Sequence, residues 1–282
     1  MPETESIPLI LLAAGLSKRF GGKLKQLARI GPDNETLIEY SLEQAARAGF
    51  KRIILIVGDK TESPLRELLG AEYKGMHIQY AKQEYDPQTR DAPWGTLDAL
   101  CAGIKYANRP VVVCNSDDIY GESALRNARD FVETNNQNVA IGYKLEKVLP
   151  QTGSVNRGIF SLNEDYIISI KEETGLTKES LSSRNLSQQT LCSMNLFGLT
   201  EEALQKLKYR LQDFKQKNTN SRVIECLLPE ELGNLIKESQ ITMRILQTNE
   251  QWHGLTHPQD EEQVRRELII KKSMHHHTLK PQ

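Results

Sequence analysis

The chain has 282 residues, with 36 Lys and Arg against 37 Asp and Glu. A balance that close leaves no global field to draw it to nucleic acid or to an anionic membrane, so any anion site must be local. No apolar run nears the roughly 20 residues of a membrane-spanning helix, and four scattered cysteines with no C-x-x-C spacing or secretory leader predict buried, reduced thiols in a cytoplasmic protein.

Residues 9–12 are apolar and of strand length, and they open into a loop holding Gly15, Gly21 and Gly22 together with Lys18, Arg19, Lys23 and Lys25. A buried strand ending at a positively charged, glycine-bearing turn is a phosphate site in outline, because free amides and clustered cations suit oxyanions. Two better-known phosphate loops do not fit. The dinucleotide fingerprint needs G-x-G-x-x-G, whereas Gly15 is followed by Leu16, Ser17, Lys18 and Arg19; the P-loop needs Gly-Lys-Ser/Thr, whereas Gly22-Lys23 precedes Leu24.

Downstream, residues 36–49 carry apolar positions at helical spacing and a glycine stop, residues 52–58 are a β-branched run suited to a doubly covered parallel strand, and Ser63-Pro64 starts a short helix ending near Gly70. A strand over 77–81, a loop to Gly95, a helix over 96–106 with Thr96 as its N-cap, and a buried strand over 110–115 follow. This alternation predicts an α/β, Rossmann-like, doubly wound sheet in three α/β/α layers, with ligands at the carboxyl ends of the strands. From Val139 the pattern changes to strand-like segments at 139–145, 157–162, 166–171 and 190–197, then helices near 201–216 and 230–238, a strand at 240–247 and a last helix over 258–270. These should extend the sheet antiparallel, make it mixed, and build an acceptor pocket. One domain over 1–271 is expected, 1–145 being the nucleotide-binding half and 146–271 the acceptor-binding half, with a disordered tail over 272–282.

Three further stretches carry chemistry. Gln83 ends a strand on the same sheet edge as the charged loop, where an amide can pair with a nucleobase edge. Asp117-Asp118 follow the apolar strand 111–115, and carboxylates there can hold magnesium against a triphosphate; Asp117 is the first choice as ligand and Asp118 the alternate. Asp260, just before the last helix, is either another ligand or only a helix cap.

The loop Ala13-Ala14-Gly15-Leu16-Ser17-Lys18-Arg19-Phe20-Gly21-Gly22-Lys23-Leu24-Lys25-Gln26-Leu27 resembles the signature loop of the sugar-phosphate nucleotidylyltransferases, with Leu16-Ser17 where many members have a second glycine. The segment ending at Gln83 is similar to the base-reading strand end of glucose-1-phosphate thymidylyltransferases, Gly95-Thr96 looks like the Gly-Thr turn of related uridylyltransferases, and Asp117 to Gly121 resembles the family's Asp-x-x-Tyr/Phe-Gly turn. The resemblance implies the GT-A-like nucleotidyltransferase fold and a Mg2+-dependent enzyme that couples a nucleoside triphosphate to a sugar-1-phosphate, releasing pyrophosphate.

It further implies that Arg19 holds the leaving β,γ-phosphates and Lys25 bridges the α-phosphate and the acceptor phosphate. Ala13, Ala14, Gly15, Gln83, Gly95 and Thr96 would contact the nucleotide, and Gly153, Glu172 and Asn195 the acceptor. The partners expected are a triphosphate and a phosphorylated sugar, with no nucleic acid or membrane, and a homo-oligomer is allowed for. A non-sugar acceptor such as phosphocholine, a glycosyltransferase on a related sheet, and a non-catalytic nucleotide-sugar-binding regulator are the rival readings. The base stays open, since an amide reads uracil, thymine or cytosine alike.

Overall fold

The computed structural model describes residues 6–15, 24–150, 153–255 and 260–278, the last five of these by backbone alone. The first half alternates β1 (Leu9–Leu12), α1 (Leu37–Arg47), β2 (Arg52–Val57), α2 (Glu62–Leu69), β3 (Glu72–Tyr73), β4 (Met76–Lys82), α3 (Thr96–Ile104), β5 (Val111–Asn115), β6 (Asp118–Ile119) and α4 (Glu122–Asn135). The second half comprises β7 (Asn138–Lys144), β8 (Val155–Asn163), β9 (Tyr166–Leu176), β10 (Leu191–Leu199), α5 (Glu201–Lys217), α6 (Leu228–Lys237), β11 (Met243–Gln247), β12 (His253–Gly254) and α7 (Asp260–Thr278).

Among the described residues the main sheet has ten strands in the order β3-β4-β2-β1-β5-β10-β7-β11-β9-β8. β4, β2, β1 and β5 run parallel, with Leu9 level with Ile53 on one side and Val112 on the other. β10 is antiparallel to both β5 and β7 and marks the seam between the halves. Alternate residues of β1 enter different cores. Leu9 and Leu11 pack with α1, α2 and α4, whereas Ile10 packs with α3, α5 and α6. Helices therefore cover both faces, and the parallel strands read as continuous apolar runs because neither face is wet. A fully buried Leu or Ile in such a strand contributes about 1.5–3 kcal/mol. β1 lies between β2 and β5, so the chain leaves it toward one side and returns on the other. That switch point opens a crevice at the strand ends.

Helix α1 begins where the pattern implies, with a capping box in which Thr36 Oγ1 accepts from Glu39 N and Glu39 Oε2 accepts from Thr36 N. Helix α2 begins at Glu62, one turn's edge before the expected Ser63-Pro64 start; Pro64 sits in the first turn, where its missing N–H removes no helical bond. Thr96 is not the cap of α3 but its first residue, Gly95 taking the cap position at φ 95°. Helix α4 is the one long element that the sequence pattern did not announce: its inward side is the sparse, mostly small set Ala124, Leu125, Ala128 and Val132. Helix α7 continues to Thr278, beyond the expected stop near Ile270 and through part of the stretch expected as a disordered tail. Its Val264 and Leu268 pack with Ile30, Leu37 and Ile119 in a third, smaller core. All four cysteines are free thiols, Cys114, Cys192 and Cys226 buried and Cys101 partly so. No helix among the described residues is long and apolar enough to cross a membrane.

Candidate active site

The crevice at the ends of β1, β4 and β5 holds two cavities that share a wall. The first, about 410 Å³, is lined by Ala14, Gly15, Gln83, Gly95, Thr96 and Glu225 among others. The second, about 570 Å³, is lined by Lys25, Arg157, Glu172, Glu230 and Trp252 among others. Thr96, Asn115, Asp117 and Asn195 line both.

Gly15 follows β1 with open space where a Cβ would stand. Ala13, expected to contact nucleotide, instead turns its side chain into the core and donates its amide to Ile56 O at 2.8 Å. Arg19 lies outside the described residues, as do Lys18 and Lys23.

Lys25 begins a short 3-10 turn, Lys25–Leu27, that returns to the strand ends. Gln26 anchors it: the side chain is buried, and its Nε2 donates to Ser116 Oγ at 3.3 Å while Ser116 Oγ donates to Leu12 O at 2.9 Å. The anchor ties the turn to the residue before Asp117. Lys25 Nζ accordingly lies 3.5 Å from Asp117 Oδ2. In the sequence Gln26 is one letter of a motif, and only its packing reveals this tethering role.

The adjacent acids divide sharply. Asp117 is a third exposed and faces both cavities. Asp118 is buried beneath it, with Oδ2 accepting from Asn115 Nδ2 at 2.9 Å and hydrogen-bonded to the Tyr120 hydroxyl at 3.1 Å. Burial, then the charge of Asp117, pushes the Asp118 carboxyl up to about 7. Its main chain is fixed too, since Ser41 Oγ donates to Asp118 O and β6 pairs with β12, Gly254 opposite Asp118. Asp118 is thus held in place by its neighbours while still lining the second cavity.

Gln83 is buried at the end of β4, and its Nε2 donates to Gly95 O at 3.0 Å and to Asp98 Oδ2 at 2.8 Å. Gly95 could not be another residue without movement, because a Cβ would lie 2.6 Å from Cys226 O. That segment before α6 closes onto the turn through Cys226 N donating to Trp94 O and Leu228 N donating to Thr96 Oγ1. The second half of the chain therefore walls part of the first cavity.

In the second cavity, Asn195 sits in a bulge of β10 at φ 62°, a left-handed conformation uncommon for a non-glycine residue and typical of a side chain re-aimed toward a site. Glu172 on β9 lies opposite Gly158; burial raises its carboxyl, Arg157 lowers it and Glu230 raises it. Arg157, not singled out from the sequence, is largely buried. Burial lowers its pKa, its Nη2 donates to Val148 O at 3.0 Å, and its guanidinium lies 5.1 Å from the Trp252 ring. No sequence signal marks it, since its role depends on β8 folding back against β10.

Two expected residues stand apart. Gly153 is exposed at φ 86° before β8 and lines neither cavity. Asp260 opens α7 and lines a separate cavity behind Trp252, not the two that Asp117 faces. Among the described residues no group of three His, Cys, Asp or Glu could hold a metal by itself. A site for magnesium would need fewer protein ligands than that, since magnesium is commonly bound by one or two carboxylates plus substrate phosphates and water. Asp117, with one open carboxylate beside a polar cavity, fits that requirement.

Residues 9–191 match the MobA-like NTP transferase domain. The chain belongs to that family. Its mixed α/β sheet is of the GT-A-like kind. A curated relative, the CMP-5'-(3-aminopropyl)phosphonate synthase of Streptomyces rubellomurinus, is 33% identical over 128 residues, a match covering 44% of this chain and only 19% of that protein.

Among solved structures, a Bacillus anthracis protein described as a glucose-1-phosphate thymidylyltransferase superposes with a TM-score of 0.68 at 13% identity, covering 94% of this chain and 95% of that one. The inositol-1-phosphate CTP transferase of T. maritima gives 0.63 at 17% identity, covering 94% and 96%. At such identities the likeness shows the fold. The MobA-like match stops at residue 191 and so ends before Asn195, α5 and α6, the part that closes the cavities.

Proposed function

We propose that this MobA-like transferase moves a nucleotidyl group from a nucleoside triphosphate to a phosphate oxygen of a small phosphorylated acceptor, with a sugar-1-phosphate as the first candidate. One observation carries this reading: Asp117 stands on the wall that the two cavities share, and Lys25, at the edge of the second, lies 3.5 Å from it. A triphosphate with its base in the first cavity and an acceptor in the second would meet there. The acceptor oxygen attacks the α-phosphorus as the bond from that phosphorus to the β-phosphate oxygen breaks, and pyrophosphate leaves with that electron pair. The enzyme then contributes alignment and charge, with no covalent intermediate.

Lys25 is the cation placed for the α-phosphate and the incoming phosphate, and Arg19 is proposed for the leaving phosphates. Asp117 would hold Mg2+, which when bound supplies charge neutralisation between the triphosphate and the incoming anion. Asn195 and Glu172 would orient the acceptor, Glu172 by accepting from its hydroxyls. Arg157 at the same cavity adds a cation on the acceptor side.

A second reading has its own support. The second cavity carries Glu172 and Glu230 beside Trp252, and burial, then the charge of Glu230, raises the Glu172 carboxyl against the lowering effect of Arg157. Such a lining also suits an acceptor with an amine, and the curated relative is named for an aminopropyl phosphonate. Incubation with each triphosphate, magnesium and a panel of sugar phosphates, phosphocholine and aminoalkyl phosphonates, following pyrophosphate release, tests both. Release with a sugar-1-phosphate supports the first reading and release with an aminoalkyl phosphonate the second. Absence of release with every pair would reject nucleotidyl transfer to these acceptors.

A further inference from the structure

The base cavity contains a hydrogen-bonded lock that a side-chain amide alone would not need. Gln83 Nε2 has two hydrogens, and both of its neighbours, Gly95 O at 3.0 Å and Asp98 Oδ2 at 2.8 Å, can only accept. Asp98 is itself buried and paired through Oδ1 with Lys215, which comes from α5 in the other half of the chain. Turning the amide over would set its oxygen against two oxygens, so the orientation has one solution. Both donors face inward. Gln83 can therefore offer a ligand only Oε1, which accepts no hydrogen bond among the described residues.

We propose that Asp98 is a positioning residue that makes Gln83 an acceptor-only reader, so that the base cavity selects a base with an exocyclic amine, cytosine over uracil. The inference rests on the nucleotidyltransferase reading. An amide free to rotate would serve both pyrimidines, donating to the C4 carbonyl of uracil or accepting from the C4 amine of cytosine. The locked amide can only accept, so cytosine meets it with either hydrogen of its C4 amine, whereas uracil can meet it only through its single N3–H, which brings the flanking C4 or C2 carbonyl close to the same oxygen. Glu225, a second side chain that only accepts when ionised, lines the same cavity and adds to the preference.

Direct titration of the full chain with magnesium and CTP, UTP or the triphosphate of pyrimidin-2-one riboside, which has hydrogen at C4, tests this without requiring turnover. The unaltered protein should bind CTP about tenfold or more tightly than UTP, the size expected for one satisfied against one opposed polar contact, with the C4-unsubstituted analogue also weaker than CTP. In Asp98→Asn the new amide can keep Lys215 with its oxygen and turn its NH2 toward Gln83, so the lock is lost. The CTP:UTP ratio should then fall to within about threefold, and in turnover assays the change should appear in KM for the nucleotide rather than in kcat.

A circular dichroism spectrum and a melting curve establish that the variant is folded. If it is not, Lys215→Met, which removes the outer partner of Asp98, must lower the ratio in its place. Equal binding of CTP and UTP by the unaltered protein, or an unchanged ratio in the folded variants, overturns the inference while leaving the transferase reading intact. Binding of no triphosphate at all removes that reading and the inference with it.

Discussion

The first and second cavities, proposed for base and acceptor, meet at Asp117, yet their side chains are held in different ways. On the base side Gln83 is fixed by Gly95 and Asp98, Asp98 by Lys215, and Thr96 Oγ1 accepts from Leu228 N. Gln83 follows the end of a parallel strand, β4, and its partners come from α3 and α5, because the side chains of the parallel strands themselves are spent on two apolar cores. On the acceptor side Glu172, Asn195 and Arg157 come from antiparallel strands, where alternate residues face the site directly. A parallel sheet offers a ligand its ends; an antiparallel one offers it a face. The first arrangement makes a rigid reader, whereas the second leaves acceptor chemistry to individual substitutions that cost the fold little.

The sharpest break in that comparison would come from the shared wall. Lys25→Ala should slow the chemical step by about a hundredfold or more in single-turnover measurements, as expected for one preorganised contact to charge that grows in the transition state. Asp117→Asn should lose turnover to a similar degree, whereas Asp118→Asn, which keeps the shape of the buried side chain without its charge, should stay within about tenfold of the parent. Equal losses in the two Asn variants would mean that the buried acid also reaches the chemistry, and full activity without Lys25 would move the site elsewhere.

Next in size is the rigidity of the base side. Gly95→Ala meets Cys226 O at 2.6 Å and must adopt φ 95°, which should cost about 2 kcal/mol or more and lower the melting temperature by about 5 °C. A variant that melts with the parent would show that the closure between the two halves is loose. On the acceptor side Glu172→Gln should raise KM for the acceptor about three- to tenfold with kcat little changed and no loss of stability, because an orienting contact is made alike before and during reaction. A drop in kcat alone would assign Glu172 to the chemistry.

The smallest effect concerns the contact of α7 with the Asp118 turn. Burial lowers the pKa of His253, whose Nδ1 lies 2.9 Å from Glu267 on α7. A histidine with a depressed folded pKa binds fewer protons than its unfolded form, so its contribution is present above the unfolded value near 6.5 and is lost as pH falls from there toward the folded pKa. Melting curves from pH 8 to pH 5 should show that loss in the parent and a shallower slope in His253→Asn. Identical slopes would detach His253 from the acid limb.

Local chemistry made much of this protein readable before folding. The β-branched and leucine-rich runs of β1, β2 and β5 could only be doubly covered strands, the Thr36–Glu39 box starts α1 within one turn of chain, and Lys25-Gln26-Leu27 and Asp117-Asp118 lie where strand ends meet loops. What tertiary structure decided was direction and partnership. Asp117 and Asp118 are adjacent and chemically identical, and only the packing of Tyr120, Asn115 and Ser41 buries one at the edge of the second cavity and leaves the other open to both.

Ala13 belongs to the same motif as Gly15 but its side chain is consumed by the core, and Asp260, expected as a further ligand or a helix cap, opens α7 and lines another cavity. Arg157 and the Gln83–Asp98–Lys215 chain join residues up to 132 positions apart (83 to 215). No periodicity or spacing rule encodes such contacts, because they exist only once β10 has brought the two halves together.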